Sequence, residues 1–147
     1  MAKKRKKTKK SKVIKMYRVS RWFYKKRIPL FPNLIRKMIR FFFSADIPFT
    51  ADIDKTVEFK HGGLGVVIHD KSTIGKNSVI YQHVTIGGRE GRGHPTIGEN
   101  VYIGAGACVL GGVKVGDNVM IGANAVVIED IPSNTTVVGV PAKPVKK

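Results

Sequence analysis

Aliphatic and aromatic residues recur every six positions between residues 47 and 127. A period of six matches neither the 3.6-residue repeat of a helix nor the alternation of an ordinary strand. It is typical of a solenoid in which three short strands make one triangular coil and each strand points one aliphatic residue into a shared core. The pattern therefore predicts an all-β solenoid of hexapeptide repeats. The repeat positions are Ile47, Ile53 and Phe59; Ile68, Ile74, Ile80 and Ile86; and Ile97, Ile103, Val109, Val115, Ile121 and Val127.

Two insertions interrupt the count of six. The steps from residue 59 to residue 68 and from residue 86 to residue 97 are nine and eleven residues long. Extra residues in a solenoid are extruded as loops. Each loop carries a histidine, His61 in the first and His94 in the second. Glycine follows many of the repeat residues, and we expect it to ease the corners of the coils.

The segment before the solenoid has the spacing of helices. Residues 13–27 predict one helix, with Val19, Trp22 and Phe23 on a single face that we expect to pack against the solenoid. Beyond two prolines, apolar residues recur at i, i+3 and i+4, which predicts a second amphipathic helix that caps the open end of the solenoid. These residues are Leu34, Ile35, Met38, Ile39, Phe42 and Phe43.

These patterns divide the chain into three parts. We expect a basic tail with one or two short amphipathic helices over residues 1–45, the β-helix over residues 46–131, and a C-terminal capping segment over residues 132–147. The ends of a solenoid must be covered because their strand edges are otherwise exposed. The apolar stretch 28–43 is interrupted by prolines and cations, so neither a signal peptide nor a membrane span is expected.

Charge is divided unevenly along the chain. Residues 1–43 hold 17 of the 27 Lys and Arg and no acid, so the formal net charge of +17 belongs to this segment. A neutral solenoid with a cationic arm disfavours nucleic acid as the partner. For the arm itself a solvated tail, a nucleic-acid arm and an anchor to an anionic membrane surface remain as alternatives.

Cys108 is the only cysteine, which excludes a disulfide framework and favours a reducing, cytoplasmic setting. The inner face of the membrane is a possible place within that compartment if the basic arm is an anchor. Small apolar neighbours, in the stretch GAGACVLGG, indicate that Cys108 is a core residue rather than a catalytic thiol.

Several stretches together resemble one family. They are ADI at 45–47, KHGGLG at 60–65, VIYQHVTIGG at 79–88, GHPTIG at 93–98, YIGAGACVLGG at 102–112, IGANAVV at 121–127 and VVGVPAK at 137–143. Over about two thirds of its length the chain resembles the catalytic domain of serine O-acetyltransferases and related sugar O-acetyltransferases. These enzymes are left-handed parallel β-helix acyltransferases.

The resemblance implies acetyl-CoA-dependent O-acetylation, with active sites between the subunits of a homotrimer. In the family, a histidine in the first loop takes the proton of the acceptor hydroxyl, and His61 occupies that position. Imidazole suits this role because its ordinary pKa lies near neutrality. The aspartate that orients the base in the family lies fifteen residues earlier and corresponds to Asp46; Asp52, nine residues earlier, is the less favoured alternative. The second histidine of the family, which helps to bind and polarise the acceptor, corresponds to His94.

The resemblance also implies positions for the cosubstrate and the acceptor. It puts the pantetheine arm of acetyl-CoA in the groove between solenoids, against Gly88, Ala105 and Ala123. Lys143 is then a candidate partner of a CoA phosphate, with a solvated surface lysine as the alternative. The implied acceptor-binding positions are Lys60, Asp70 and Gln82.

Two departures from the serine acetyltransferase pattern concern the acceptor. Lys60 stands where those enzymes have the aspartate that reads the amino group of serine, and Gly93 stands where they have an arginine. The short basic N-terminal segment is more like that of acetyltransferases of cell-surface polysaccharide synthesis. These features favour a sugar hydroxyl over serine.

Two other functions are alternatives to acetyl transfer. A non-catalytic trimeric solenoid would present its basic arms to an anionic polymer or a membrane. The γ-carbonic anhydrases, a related solenoid class, bind zinc through three histidines, two of them five residues apart. The four histidines here are separated by 8, 14 and 11 residues, so no metal is expected.

Overall fold

The computed structural model describes residues 11–145. In this part of the chain, helix α1 (Lys12–Lys25) and helix α2 (Phe31–Phe43) precede a series of short strands. The strands are β1 (Asp52–Ile53), β2 (Glu58–Phe59), β3 (Val67–Ile68), β4 (Thr73–Ile74), β5 (Val79–Ile80), β6 (Thr85–Gly87), β7 (Thr96–Ile97), β8 (Tyr102–Ile103), β9 (Cys108–Leu110), β10 (Lys114–Val115), β11 (Met120–Ile121), β12 (Val126–Val127), β13 (Thr136–Val138) and β14 (Lys143–Pro144).

The strands form three sheets that the chain visits in rotation. The first sheet has the order β1-β4-β7-β10, the second β14-β13-β11-β8-β5-β2 and the third β12-β9-β6-β3. Neighbouring coils pair in parallel with their core residues in register, as Phe59 does with Ile80 and Ile68 with Ile86. The predicted β-helix of hexapeptide repeats is therefore confirmed as a parallel solenoid of about four turns.

The six-residue series forms the core. Each of the repeat positions from Ile47 to Val127 is at most 5% exposed. Every inward side chain stacks on its counterparts in the coils above and below, and burying one aliphatic side chain contributes about 1.5–3 kcal/mol. Cys108 is only half-buried, because Val109 takes the inward position of β9 and Cys108 points away from the core.

Asparagine, not the repeat glycine, takes the left-handed conformation at many corners. Asparagine tolerates this conformation better than most residues because its side chain bonds locally. The glycines that follow the core residues have ordinary negative φ values and serve close stacking instead: a Cβ on Gly104 would lie 2.6 Å from the backbone nitrogen of Ala123 in the next coil. The expectation that these glycines ease the corners is therefore wrong. The left-handed asparagines are Asn77, Asn100, Asn118, Asn124 and Asn134.

Helix α1 closes the open end of the first coil. Its residues Val13, Ile14 and Tyr17 are fully buried. The Tyr17 hydroxyl donates to the carbonyl of Ala51 at 2.6 Å and accepts the backbone N–H of Ile53 at 3.2 Å. Burial raises the pKa of Tyr17. The helix thus satisfies two backbone groups of the first coil that have no coil beneath them.

The exposed faces of both helices differ from the prediction. In α1, Val19 and Trp22 are 49% and 53% exposed, because the packed face runs through Val13, Ile14 and Tyr17 instead. In α2, Ile39 is fully buried and Ile35 and Phe43 pack partly buried against the core, while the other half of the predicted apolar face is exposed. No helix among residues 11–145 is long and apolar enough to span a membrane.

Candidate functional site

The first histidine loop is a tight turn at the corner between the second and third sheets. Residues Lys60–Gly63 form a 3-10 turn after β2, and the chain re-enters the solenoid at β3. His61 has φ 49° and ψ 37°, a left-handed conformation that few residues other than glycine adopt. Such backbone strain clusters at functional sites. The turn leaves the His61 side chain exposed, away from the solenoid wall.

An aromatic column lies beside His61. The ring centroids of His61 and Tyr81 are 6.1 Å apart, and those of Tyr81 and Tyr102 are 5.1 Å apart. A hydrogen bond with Tyr81 raises the pKa of Tyr102, with burial as a smaller cause. Neither tyrosine is among the predicted site residues. Tyr81 follows Ile80 directly, but the sequence does not mark it as a site residue, because glycine follows only six of the thirteen repeat residues.

Lys60, next to the candidate base, is paired within its own chain. Its ammonium nitrogen lies 2.6 Å from the Oε1 atom of Glu58, and the two side chains are 30% and 23% exposed. The turn therefore presents an ion pair, with a carboxylate, rather than a lone cation.

Asp46 lies at the start of the third sheet, where it pairs with Val67 directly after the His61 turn. Its carboxylate is held by α2: Arg36 donates from Nε to Oδ1 at 2.8 Å and from Nη2 to Oδ2 at 3.1 Å. This hydrogen bonding raises the pKa of Arg36. Within residues 11–145 His61 makes no hydrogen bond to Asp46, so the orienting role of Asp46 stays a prediction. The alternative, Asp52, lies on the first sheet and pairs with Arg21 at 2.6 Å.

The second histidine loop connects β6 and β7, at the corner between the third and first sheets. There His94 stacks on His69, with ring centroids 5.5 Å apart and an angle of 17° between the rings. His69 Nδ1 accepts the backbone N–H of Lys71 at 3.2 Å and lies 3.0 Å from Oδ1 of Asp70. His69 thereby joins two predicted site residues, Asp70 and His94.

Gly88 allows this loop to close over His69. A Cβ on Gly88 would lie 3.1 Å from Cδ2 of the His69 ring, closer than most side chains tolerate. His69 follows Ile68 directly. Its contact with His94 was not predicted from the sequence.

Two buried polar atoms of the predicted site have no partner within the described chain. They are Nδ1 of His94 and Oε1 of Gln82. Buried polar atoms in proteins are nearly always hydrogen-bonded. These two atoms are therefore suited to meet a ligand or a second subunit.

The predicted cosubstrate positions fall on two corners. Ala105 and Ala123 follow β8 and β11 of the second sheet, in adjacent coils, and the carbonyl of Ala105 accepts the backbone N–H of Asn124 at 2.9 Å. Gly88 lies with the His94 loop instead. Lys143 is exposed, with Nζ 3.5 Å from Oε2 of Glu129.

One chain does not bring the two histidine loops together. The turn with His61 lies where the chain enters the third sheet, and the loop with His94 lies where it leaves that sheet. The width of the third sheet separates them. Among residues 11–145, no group of three or more His, Cys, Asp or Glu is arranged to hold a metal ion.

Comparison with known proteins finds one matching family and a set of related enzymes that share one name. The family described as bacterial transferase hexapeptide (six repeats) matches residues 94–129. A serine acetyltransferase of Synechocystis sp. is 49% identical over 133 residues, which cover 88% of this chain and 53% of the relative. A serine acetyltransferase of Staphylococcus epidermidis is 45% identical over 127 residues, 84% of this chain and 59% of the relative. The chain thus spans a little over half the length of the curated relatives it matches.

Solved structures of serine acetyltransferases share the fold. The Neisseria gonorrhoeae enzyme in complex with serine matches with a TM-score of 0.85 and 34% identity, over 91% of this chain and 55% of that one. A serine acetyltransferase in complex with CoA matches with a TM-score of 0.84 and 35% identity, over 90% of this chain and 55% of that one. This likeness confirms the predicted left-handed β-helix.

Proposed function

Because the chain belongs to the hexapeptide-repeat transferases of the serine acetyltransferase kind, we propose that it transfers the acetyl group of acetyl-CoA to the hydroxyl of a small acceptor. The observation that carries the proposal is the exposed, left-handed His61 at an insertion of an otherwise regular solenoid. An imidazole held away from the wall can reach a hydroxyl that a core residue cannot.

The reaction needs a base, a polarised acceptor and a bound thioester. His61 removes the hydroxyl proton as the acceptor oxygen attacks the thioester carbonyl, which gives a tetrahedral intermediate. When that intermediate collapses, the C–S bond breaks and the CoA sulfur takes the proton from the imidazolium. His94 binds the acceptor, and Asp46 orients His61. No metal takes part in this scheme.

The active site belongs to two subunits of a homotrimer in this proposal. The His61 turn and the His94 loop lie at different corners of one chain, so a neighbouring subunit supplies the second half of the site. The same arrangement joins Gly88 of one subunit to Ala105 and Ala123 of the next, along the groove proposed for acetyl-CoA.

Serine is the acceptor that we propose, with other small hydroxyl compounds as the alternative. The relatives are serine acetyltransferases, and one related structure contains serine, so the preference for a sugar finds no support among them. That preference relied on Lys60 as a cation at the acceptor. Lys60 is paired with Glu58, however, so its charge is compensated within the chain.

Acceptor rates would decide between these substrates. With acetyl-CoA and purified full-length protein, release of free thiol should be faster with serine than with simple sugars or nucleotide sugars. Glu58→Gln should raise the KM for serine, because it leaves the charge of Lys60 uncompensated and the ammonium group of serine is then repelled. A sugar that outperforms serine, or a Glu58→Gln protein with unchanged KM, would contradict the assignment of serine.

The catalytic role of the His61 side chain can be tested separately from the left-handed conformation of its backbone. His61 and His83 both have left-handed φ values, 49° and 58°, and asparagine tolerates this conformation. We expect His61→Asn to lower kcat/KM by at least about 100-fold through loss of the base. The matched control, His83→Asn, should stay near the parental rate. Equal rates for both variants would show that His61 is not the base.

Cytoplasmic location remains part of the proposal, since a single, half-buried Cys108 fits a reducing compartment. The alternative of a non-catalytic module rests on the basic tail, and residues 1–10 of that tail lie outside the described residues.

A further inference from the structure

Helix α2 carries an apolar stripe that nothing in residues 11–145 covers. The stripe consists of Phe31, Leu34, Met38, Phe41 and Phe42, which are between 40% and 81% exposed. Because successive residues of a helix are about 100° apart, these five positions fall within one arc of about 100°. They form one continuous surface rather than scattered exposed residues.

The stripe extends onto α1 through stacked rings. Phe31 stacks on Phe23 at a centroid distance of 4.9 Å, and Phe23 meets Trp22 edge-on at 5.1 Å. Trp22 itself is 53% exposed. We call the five residues of the stripe together with Trp22 and Phe23 the hairpin face. A contiguous exposed apolar patch of this kind marks an interaction surface.

The two helices that carry the hairpin face also carry cations. Every charged residue before Asp46 is basic. Arg21 and Arg36 pair with acids of the solenoid. Other cations of the two helices, among them Lys15, Arg18, Lys25 and Lys37, are exposed and form no ion pair within the described chain. The two helices therefore carry both an exposed apolar surface and exposed, unpaired cations.

The combination of an apolar surface with exposed cations indicates which kind of partner binds here. A second copy of the hairpin would bring one strongly cationic surface against another, and like charges at an interface are costly. An anionic lipid surface suits both features, since its acyl region receives Phe, Leu and Met side chains and its headgroups receive Lys and Arg. We propose that the hairpin face docks the protein on an anionic membrane surface, with α1 and α2 lying in the plane of the interface. The proposal is independent of the acetyltransferase activity.

A tryptophan of the chain can serve as a fluorescence probe for this docking. Trp22 is the only tryptophan and belongs to the hairpin face. On addition of vesicles made of about one part phosphatidylglycerol to two parts phosphatidylcholine, the full chain should show a blue shift of Trp22 emission and quenching by brominated acyl chains. Pure phosphatidylcholine vesicles should give neither, and high salt should weaken binding to the anionic vesicles.

Two pairs of variants test the apolar and the charged parts separately. Phe41→Ser combined with Phe42→Ser should weaken vesicle binding by at least about tenfold, because two large side chains no longer enter the acyl region. The control Met120→Ser removes a similarly exposed apolar side chain from the solenoid and should bind like the parent. Lys37→Glu should weaken binding by more than about fivefold, while Lys114→Glu, the same charge change on β10, should have little effect.

Three results would overturn the proposal. Unchanged vesicle binding by both hairpin variants would assign the binding to the basic tail alone. Trp22 shifts with a soluble polyanion such as heparin, but no quenching by brominated lipids, would assign a different partner. A hairpin variant with a reduced subunit number in analytical ultracentrifugation, together with no vesicle binding by the parent, would make the face a subunit contact.

Discussion

His61 and His83 share a corner of the solenoid and a left-handed backbone, yet their surroundings differ. His83 belongs to a regular repeat and packs its ring against Gly65, where no Cβ would fit. His61 belongs to the insertion, and its ring centroid lies 6.1 Å from that of Tyr81 in the aromatic column. At the scale of single residues, both histidines are exposed, and what distinguishes His61 is its place in the inserted turn.

The stack of His69 on His94 gives a prediction for the acceptor. His69→Ala removes the ring that supports the second loop and should raise the acceptor KM about three- to tenfold, the range expected for loss of one ring contact. His69→Phe keeps a ring in the same place and should lie closer to the parent, with kcat little changed in both. Steady-state kinetics with varied acceptor measures this, and identical KM values for the three proteins would contradict a positioning role.

Sequence reasoning could predict the two histidine loops because an insertion breaks a simple count. It could not predict the contact between His69 and His94, or between Arg36 and Asp46. Both contacts join different coils or a helix to a coil, and they depend on how the coils stack in three dimensions.

Helix α1 acts as the missing coil beneath the solenoid. Two buried hydrogen bonds join its Tyr17 to the first coil, at Ala51 and Ile53. The sequence predicted that the second helix caps this end, because open strand edges are a liability, but these hydrogen bonds come from the first helix. The face that does so could not be predicted, since both helices have apolar arcs wider than the surface they bury.

Removal of the Tyr17 hydroxyl should destabilise the cap. Tyr17→Phe leaves the buried N–H of Ile53 without its partner, while the Ala51 carbonyl keeps the donor Arg21 Nη1 at 2.7 Å. The loss costs about 1–3 kcal/mol of unfolding free energy. Tyr24→Phe, which removes a hydroxyl from an exposed residue of the same helix, is the matched control. Urea unfolding of the three proteins measures the difference. Equal losses for the two variants would show that the cap does not depend on Tyr17.

The same residue predicts a pH dependence at the alkaline end. Burial raises the pKa of Tyr17 above its unfolded value, so the protonated hydroxyl is the form that the fold favours. Its contribution should be fully present below about pH 10, the ordinary tyrosine pKa, and lost as the pH rises through the folded pKa. In urea unfolding at a series of pH values, the advantage of the parent over Tyr17→Phe should shrink above that pH. A constant difference across the series would contradict the argument.

At the scale of the whole molecule, the two halves of the proposed site lie at two corners of each chain, so a complete site requires two subunits. Each chain presents His61 where it enters the third sheet and His94 where it leaves that sheet. A ring of three identical subunits brings unlike corners together at every interface, because a cyclic interface joins two different patches. In the trimer that we propose, three equivalent active sites arise from chains that have none alone.

Complementation between two inactive variants tests this account most directly. His61→Asn and His94→Asn should each be nearly inactive as pure trimers. When the two chains are coexpressed in equal amounts, about one quarter of the interfaces pair an intact His61 with an intact His94, so about one quarter of the parental rate should return. If the mixed trimers form, as differently tagged subunits would show, and the rate stays at that of the single variants, the shared site does not exist.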